Sequence, residues 1–130
     1  MIVIDASLAI EIVLATPDGD VLSGRIIDGA HALAAPEIIE LEVLQTLRRL
    51  RRMGLIDDAT ADRALLNVGE LAIERFSHLP LRSRIWALRD KLTAYDAAYF
   101  ALAEILDTPL WTRDGKYSSV PGHSARIEIL

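Results

Sequence analysis

The chain has 130 residues, 52% hydrophobic and 25% charged, with a formal net charge of −5 and no cysteine. That length buries a core unaided and fits one domain over residues 1–130. The missing cysteines exclude disulfide frameworks, thiolate zinc sites and cysteine nucleophiles, and suit a reducing cytoplasm; the acidic balance argues against nucleic-acid binding by excess Lys and Arg alone, though not against binding in which cations neutralise the acids.

In chain order, Ile2, Val3 and Ile4 form a β-branched apolar run, read as a buried parallel strand that Asp5 terminates. Ser7 is placed to cap a helix to about Leu14, Pro17-Asp18-Gly19 reads as a turn, and a second helical stretch follows to about Asp28. His31 to Ala34 reads as a short strand, and Pro36 suits the first turn of a long helix to about Met53, stopped by Gly54. Asp57 or Asp58 opens another helix to about Ile73, Glu74 to Leu79 alternates as a strand, and Arg82 to Leu92 is helical. Ala94 to Leu106 is a helix apolar on nearly all sides, hence central; Pro109 to Thr112 is a last core strand and Arg126 to Leu130 an edge strand. Strands alternating with helices predict an α/β sandwich around a parallel sheet, with one consecutive helix pair between Pro36 and Ile73.

Four acids stand among apolar residues or at element ends, where an unpaired charge is costly: Asp5, Glu42, Asp96 and Asp114. Each has a plain reading. Asp5 helps Ser7 satisfy the free N–H groups of the first helix, and Asp96 completes a capping box by reaching back to the Thr93 N–H. Asp114 belongs to an ordinary Asp-Gly turn. Glu42 lies on the edge of the apolar stripe of Ile39, Val43, Leu47 and Leu50, offset from Ile38 by about 40°, while Glu37 and Glu40 are the solvated acids of that helix. Taken together the acids read differently. In a parallel sheet the carboxyl ends of strands and the amino ends of the following helices share one edge, so Asp5, Asp96 and Asp114 converge there. Carboxylates packed together cannot all stay ionised without a cation, and an oxygen-only set without His or Cys selects Mg²⁺ or Mn²⁺. Ser7 and Thr112, each two residues from one of these acids, are hydroxyls placed to orient them.

His31, His78 and His123 are isolated, and the chain has no Walker A, G-x-G-x-x-G or G-x-S-x-G motif. The amino terminus lacks a basic signal-peptide region, and the longest apolar stretch, Ala97 to Ala103, is far short of the roughly 20 residues of a spanning helix. Neither export nor membrane insertion is expected. Arg48, Arg49, Arg51 and Arg52 cluster at the end of the Pro36 helix, where the helix dipole favours cations. Arg49, on nearly the same face as Glu42, is the best placed of them for substrate phosphate or a partner.

The segments VIDAS, APEIIELEVLQTLRR, LTAYDAAYFALAE and PLWTRDGKY, in that order and spacing, resemble the successive motifs of PIN domains. More narrowly, the chain is similar along its whole length to the VapC toxins of type II toxin–antitoxin systems. The resemblance implies a PIN-like three-layer α/β/α sandwich and places the family's acidic metal site on Asp5, Glu42, Asp96 and Asp114, with Ser7 and Thr112 as hydroxyl neighbours. It further implies a Mg²⁺-dependent endoribonuclease that hydrolyses RNA with a metal-activated water, a homodimer, and a cognate VapB-type antitoxin. Two rivals stand beside it: an idle PIN-like scaffold whose acids only recruit a partner, and an aspartate-based phosphoryl-transfer domain. Against the latter, Asp5 is not part of a D-x-D pair, and Lys116 follows the Asp-Gly turn rather than ending a strand.

Overall fold

A computed structural model describes residues 1–130. Five strands form one all-parallel sheet: β1 (Ile2–Ile4), β2 (Leu33–Pro36), β3 (Ile73–Phe76), β4 (Leu110–Thr112) and β5 (Ile127–Ile129), in the order β3-β2-β1-β4-β5. The chain builds outward from β1 to β2 and β3, then returns to place β4 and β5 on the other side. The order therefore reverses between β1 and β4, and a crevice opens at their carboxyl ends, where open α/β sheets bind ligands.

Helices α1 (Ala6–Val13), α2 (Pro17–Asp28), α3 (Ile39–Arg52) and α4 (Asp58–Glu70) pack together around α1 on one face of the sheet. On the other face, α6 (Ala94–Ile105) lies across β1, β2 and β4 and is braced by α5 (Arg82–Ala87). The result is the three-layer sandwich. In α6 every residue from Ala97 to Ala103 is buried; its alanines let the backbone lie close to the sheet while Tyr99, Phe100 and Leu102 fill the space between.

The local boundaries differ from the sequence expectation at several points, each with a physical cause. Pro17-Asp18-Gly19 is not a turn: Pro17 opens α2, Thr16 caps it by accepting the Gly19 N–H at 2.9 Å, and proline at the first helical position gives up only an N–H that would be orphaned anyway. Pro36 ends β2 opposite Phe76 instead of opening a helix. The first helix is capped by Asp5, with Ser7 inside it. Helix α4 stops at Glu70 because Ile73 is needed opposite Leu33, and β3 stops at Phe76, where His78 and Pro80 turn the chain into a short 3-10 segment, Leu79–Leu81. Helix α5 ends at Ala87, five residues before the expected Leu92, and the Trp86 carbonyl accepts both the Arg89 N–H at 3.2 Å and the Arg89 guanidinium at 2.9 Å.

Gly19 is buried where α2 passes α1. A Cβ there would stand 2.0 Å from the Glu11 carbonyl oxygen, whereas one at Gly24, on the same helix, meets nothing within 4 Å. Gly19→Ala should therefore lower stability by about 1–3 kcal/mol through forced separation of the two helices, and Gly24→Ala should raise it by about 0.5–1 kcal/mol through helix propensity. Urea denaturation of the two variants measures both, and equal effects would contradict this account of the α1–α2 contact.

Candidate active site

The crevice at the β1–β4 reversal is a cleft of about 630 Å³ whose walls include Asp5, Glu42, Asp96 and Asp114. Each acid comes from a different element. Asp5 follows β1, Glu42 lies on the first turn of α3, Asp96 on the first turn of α6, and Asp114 just beyond β4. The four carboxylates predicted as a set thus share one cleft.

Asp5 is only 4% exposed and accepts three hydrogen bonds. Oδ1 takes the Ser7 hydroxyl at 2.6 Å and the Leu8 N–H at 3.1 Å, and Oδ2 takes the Thr112 hydroxyl at 2.5 Å. The two hydroxyls are themselves held from β4: Ser7 Oγ accepts the Arg113 N–H at 3.0 Å, and Thr112 Oγ1 accepts the Asp114 N–H at 2.9 Å. Two relays therefore run from the backbone after β4, through a hydroxyl, to the two oxygens of one carboxylate. Only a group that donates and accepts at once can fill such a place. Ser7 and Thr112 orient Asp5 while closing the seam between β1 and β4, and the one carboxylate both caps α1 and lines the cleft.

Two further residues, unremarked in the sequence, complete the cleft. The buried Tyr99 hydroxyl donates to Glu42, and the buried Tyr117 hydroxyl donates to Asp96 at 2.8 Å. Tyr99 could have been noticed as a phenol one helical turn beyond Asp96, inside an otherwise apolar run. Tyr117 gives no comparable signal, because its reach depends on the 3-10 turn Gly115–Ser119 that Asp114 caps. Since Asp96 is engaged by Tyr117, the capping box forms only in half: Thr93 Oγ1 accepts the Asp96 N–H at 3.2 Å, and the Asp96 carboxylate reaches away into the cleft.

Electrostatically the cleft is under load. Burial, reinforced by the nearby Asp114 charge, pushes the Asp5 carboxyl above its ordinary value, against the pull of its three hydrogen bonds. Burial also raises Glu42, with Asp96 and Asp5 adding repulsion and the Tyr99 hydrogen bond opposing. The phenols of Tyr99 and Tyr117 are pushed up as well, by burial first and by the neighbouring carboxylates, so both remain donors.

No three acidic or histidine side chains are gathered tightly enough to enclose an ion by themselves. The four acids are thus spread around the cleft, not packed into a cage as the sequence had suggested, because each carboxylate is tied to its own donor and repels the others. Of the remaining expected groups, Arg49 is exposed at the cleft wall and makes no ion pair, whereas Arg51 pairs with Asp58. Glu40, expected in solvent, instead binds Arg75 at 2.5 Å. The three histidines lie outside the cleft wall.

The raised Asp5 and Glu42 carboxyls fix a pH dependence. A carboxyl raised in the folded state holds a proton there after the unfolded chain has lost it, so its contribution to stability is complete below the ordinary carboxylate range and is lost as pH rises through the raised value. In the presence of chelator, wild-type stability measured by urea denaturation from pH 4 to pH 8 should fall more steeply with pH than that of Asp5→Asn. Parallel curves would contradict the burial of an ionisable Asp5.

Comparison with known proteins identifies the family. Residues 2–122 match the PIN domain family. The chain is 36% identical over 130 residues to Ribonuclease VapC12 of Mycobacterium tuberculosis, covering 100% of this chain and 99% of that one. It is 39% identical over 130 residues to Ribonuclease VapC9 of the same organism, covering 100% and 98%. A crystal structure of VapBC2 from Rickettsia felis bound to a DNA fragment from their promoter superposes with a TM-score of 0.70 at 13% identity, over 99% of this chain and 98% of that one, a likeness of fold. The chain belongs to the PIN-domain family, among the VapC ribonucleases.

Proposed function

We propose that this protein is a divalent-metal-dependent endoribonuclease, the toxin of a toxin–antitoxin pair, acting as one PIN domain over residues 1–130. The observation that carries this reading is the meeting of Asp5, Glu42, Asp96 and Asp114 in one cleft at the sheet's reversal point, on a chain whose full-length relatives are named ribonucleases. Against the idle scaffold, the acid set is complete and every acid is positioned by a hydrogen bond.

The donor chemistry fits Mg²⁺ or Mn²⁺. All four groups are carboxylates, the hard oxygen ligands these ions select, and substrate phosphate would add oxygens of the same kind. Asp5, Glu42, Asp96 and Asp114 would hold the ion. A bound divalent cation supplies activation of water and neutralisation of charge on the phosphate. The chain's own residues do the rest. Ser7 and Thr112 keep both Asp5 oxygens aligned, Tyr99 and Tyr117 keep Glu42 and Asp96 facing the cleft, and Arg49 supplies an unpaired cation for the approaching phosphate. Attack of water at phosphorus breaks the bond to the 3′-oxygen, leaving a 5′-phosphate and a 3′-hydroxyl.

An RNA substrate, a VapB-type antitoxin that covers the site, a homodimer and a cytoplasmic setting complete the proposal. The named ribonuclease relatives and the VapBC2 likeness support the first two. Leu41 and Leu44, exposed on α3 beside the cleft, offer apolar surface for a second chain. No helix is long and apolar enough to cross a membrane, and the absence of cysteine suits a reducing compartment.

With Mn²⁺ present, Asp5→Asn and Asp96→Asn should each reduce RNA cleavage by about 100-fold or more, with circular dichroism unchanged. Thr112→Val, which removes one relay but no ligand, should cost about 10- to 100-fold. Arg49→Ala should raise KM more than it lowers kcat. Undiminished cleavage by both aspartate variants would overturn the site assignment.

A further inference from the structure

Beside Asp96 the cleft continues into a strip of surface that the catalytic reading does not use. Tyr95, the residue before Asp96, is 60% exposed and stands in the cleft wall. It also lines a neighbouring depression of about 210 Å³ with Ile38, His78, Ile85 and Ala98. His78 and Ile85 then belong to a further depression that adds Arg82 and Trp86, and Trp86 is 68% exposed. The Arg89 guanidinium lies 4.8 Å from the Trp86 ring centroid.

Tyr95 and Trp86 stand at the two ends of one continuous, partly apolar strip, and contiguous apolar surface rimmed by polar groups marks an interaction site. Arg82 and Arg89 make no ion pair, whereas Arg84 between them binds Glu104 at 2.6 Å; the Arg89 guanidinium is held only by the Trp86 carbonyl and ring. His78 adds a polar contact. Its Nε2 accepts the Ile38 N–H at 3.1 Å, which places the ring proton on Nδ1, where it meets no group of the protein.

From these residues, and resting on the ribonuclease reading above, we propose that the strip from Tyr95 to Trp86 seats unpaired RNA bases flanking the phosphate held in the acidic cleft. One base enters the depression against Tyr95, within reach of the His78 Nδ1–H, and the next stacks on Trp86, while Arg82 and Arg89 face the backbone phosphates. Aromatic faces and guanidinium groups take bases only when these are free of a duplex, so the strip selects single-stranded or looped RNA. A second copy of this chain is the competing occupant. The unpaired arginines and the continuity with the carboxylate cleft favour a polyanion.

The two tryptophans separate the outcomes, because Trp111 is buried and Trp86 is not. In Asp5→Asn protein with Mg²⁺, single-stranded RNA should quench Trp86 emission, and the same sequence in a duplex should not. Adding Tyr95→Ala or Trp86→Ala should weaken single-strand binding, followed by filter retention, by about tenfold each. Absence of quenching, or unchanged affinity in both variants, overturns the proposal. So does conversion of Trp86→Ala protein to a smaller species in sedimentation with RNA affinity retained, which makes the strip an interface between copies. RNA that quenches Trp86 but is never cleaved by the wild type with Mn²⁺ supports the seat and removes the hydrolytic reading; cleavage without quenching does the reverse.

Discussion

The structure turns on one carboxylate placed at the end of its central strand. Asp5 continues the most buried strand of the sheet, caps the helix that follows, and accepts from hydroxyls anchored on the neighbouring strand. Three bonds to one buried acid hold β1, α1 and the segment after β4 in register. They do not remove the cost of burying its charge: the carboxyl still sits above its ordinary value. In the proposed function, that residual cost is what would link fold to activity. A site that is electrostatically unfavourable alone is one that a cation, and then a cation carrying phosphate, relieves.

The same economy recurs around the cleft. Glu42 and Asp96 project from the first turns of helices on opposite faces of the sheet, where the helix dipole favours negative charge. Each is held by one buried phenol. Tyr99 and Tyr117 suit this place because their rings pack in the core while their hydroxyls reach the cleft. Phe100 packs edge-on against Tyr117 with centroids 4.9 Å apart, so the apolar core of α6 and the orientation of Asp96 are mechanically joined. Substitutions in that packing should therefore be felt at the site before the fold fails.

Much of this was legible in the sequence, for reasons that differ from residue to residue. The β-branched run Ile2–Ile4 and the apolar helix around Phe100 carry strong patterns, and acids stand out against such backgrounds. Glu42 was legible through helical periodicity, on the edge of an apolar stripe. The relays were only half legible: a hydroxyl two residues from an acid suggests support, but that Ser7 and Thr112 converge on the same carboxylate depends on β1 lying beside β4, a long-range pairing of Ile4 with Trp111. Tyr117 and the spread of the acids depend on loop geometry and mutual repulsion, which leave no periodic trace. The misplaced helix starts at Ser7 and Pro36 share one cause. Residues able to cap or open a helix were read in isolation, whereas strand pairing and the Asp5 carboxylate decided where the chain turned.

The central claim is that Asp5, with the acids facing it across the cleft, is the seat of a divalent cation. Anomalous diffraction from crystals of the protein soaked in Mn²⁺ tests it most directly. The account predicts an anomalous peak within about 2.0–2.6 Å of an Asp5 carboxylate oxygen, shared with at least one of Glu42, Asp96 or Asp114. A peak on other residues, or none in the cleft of crystals whose dissolved protein cleaves RNA, would contradict it.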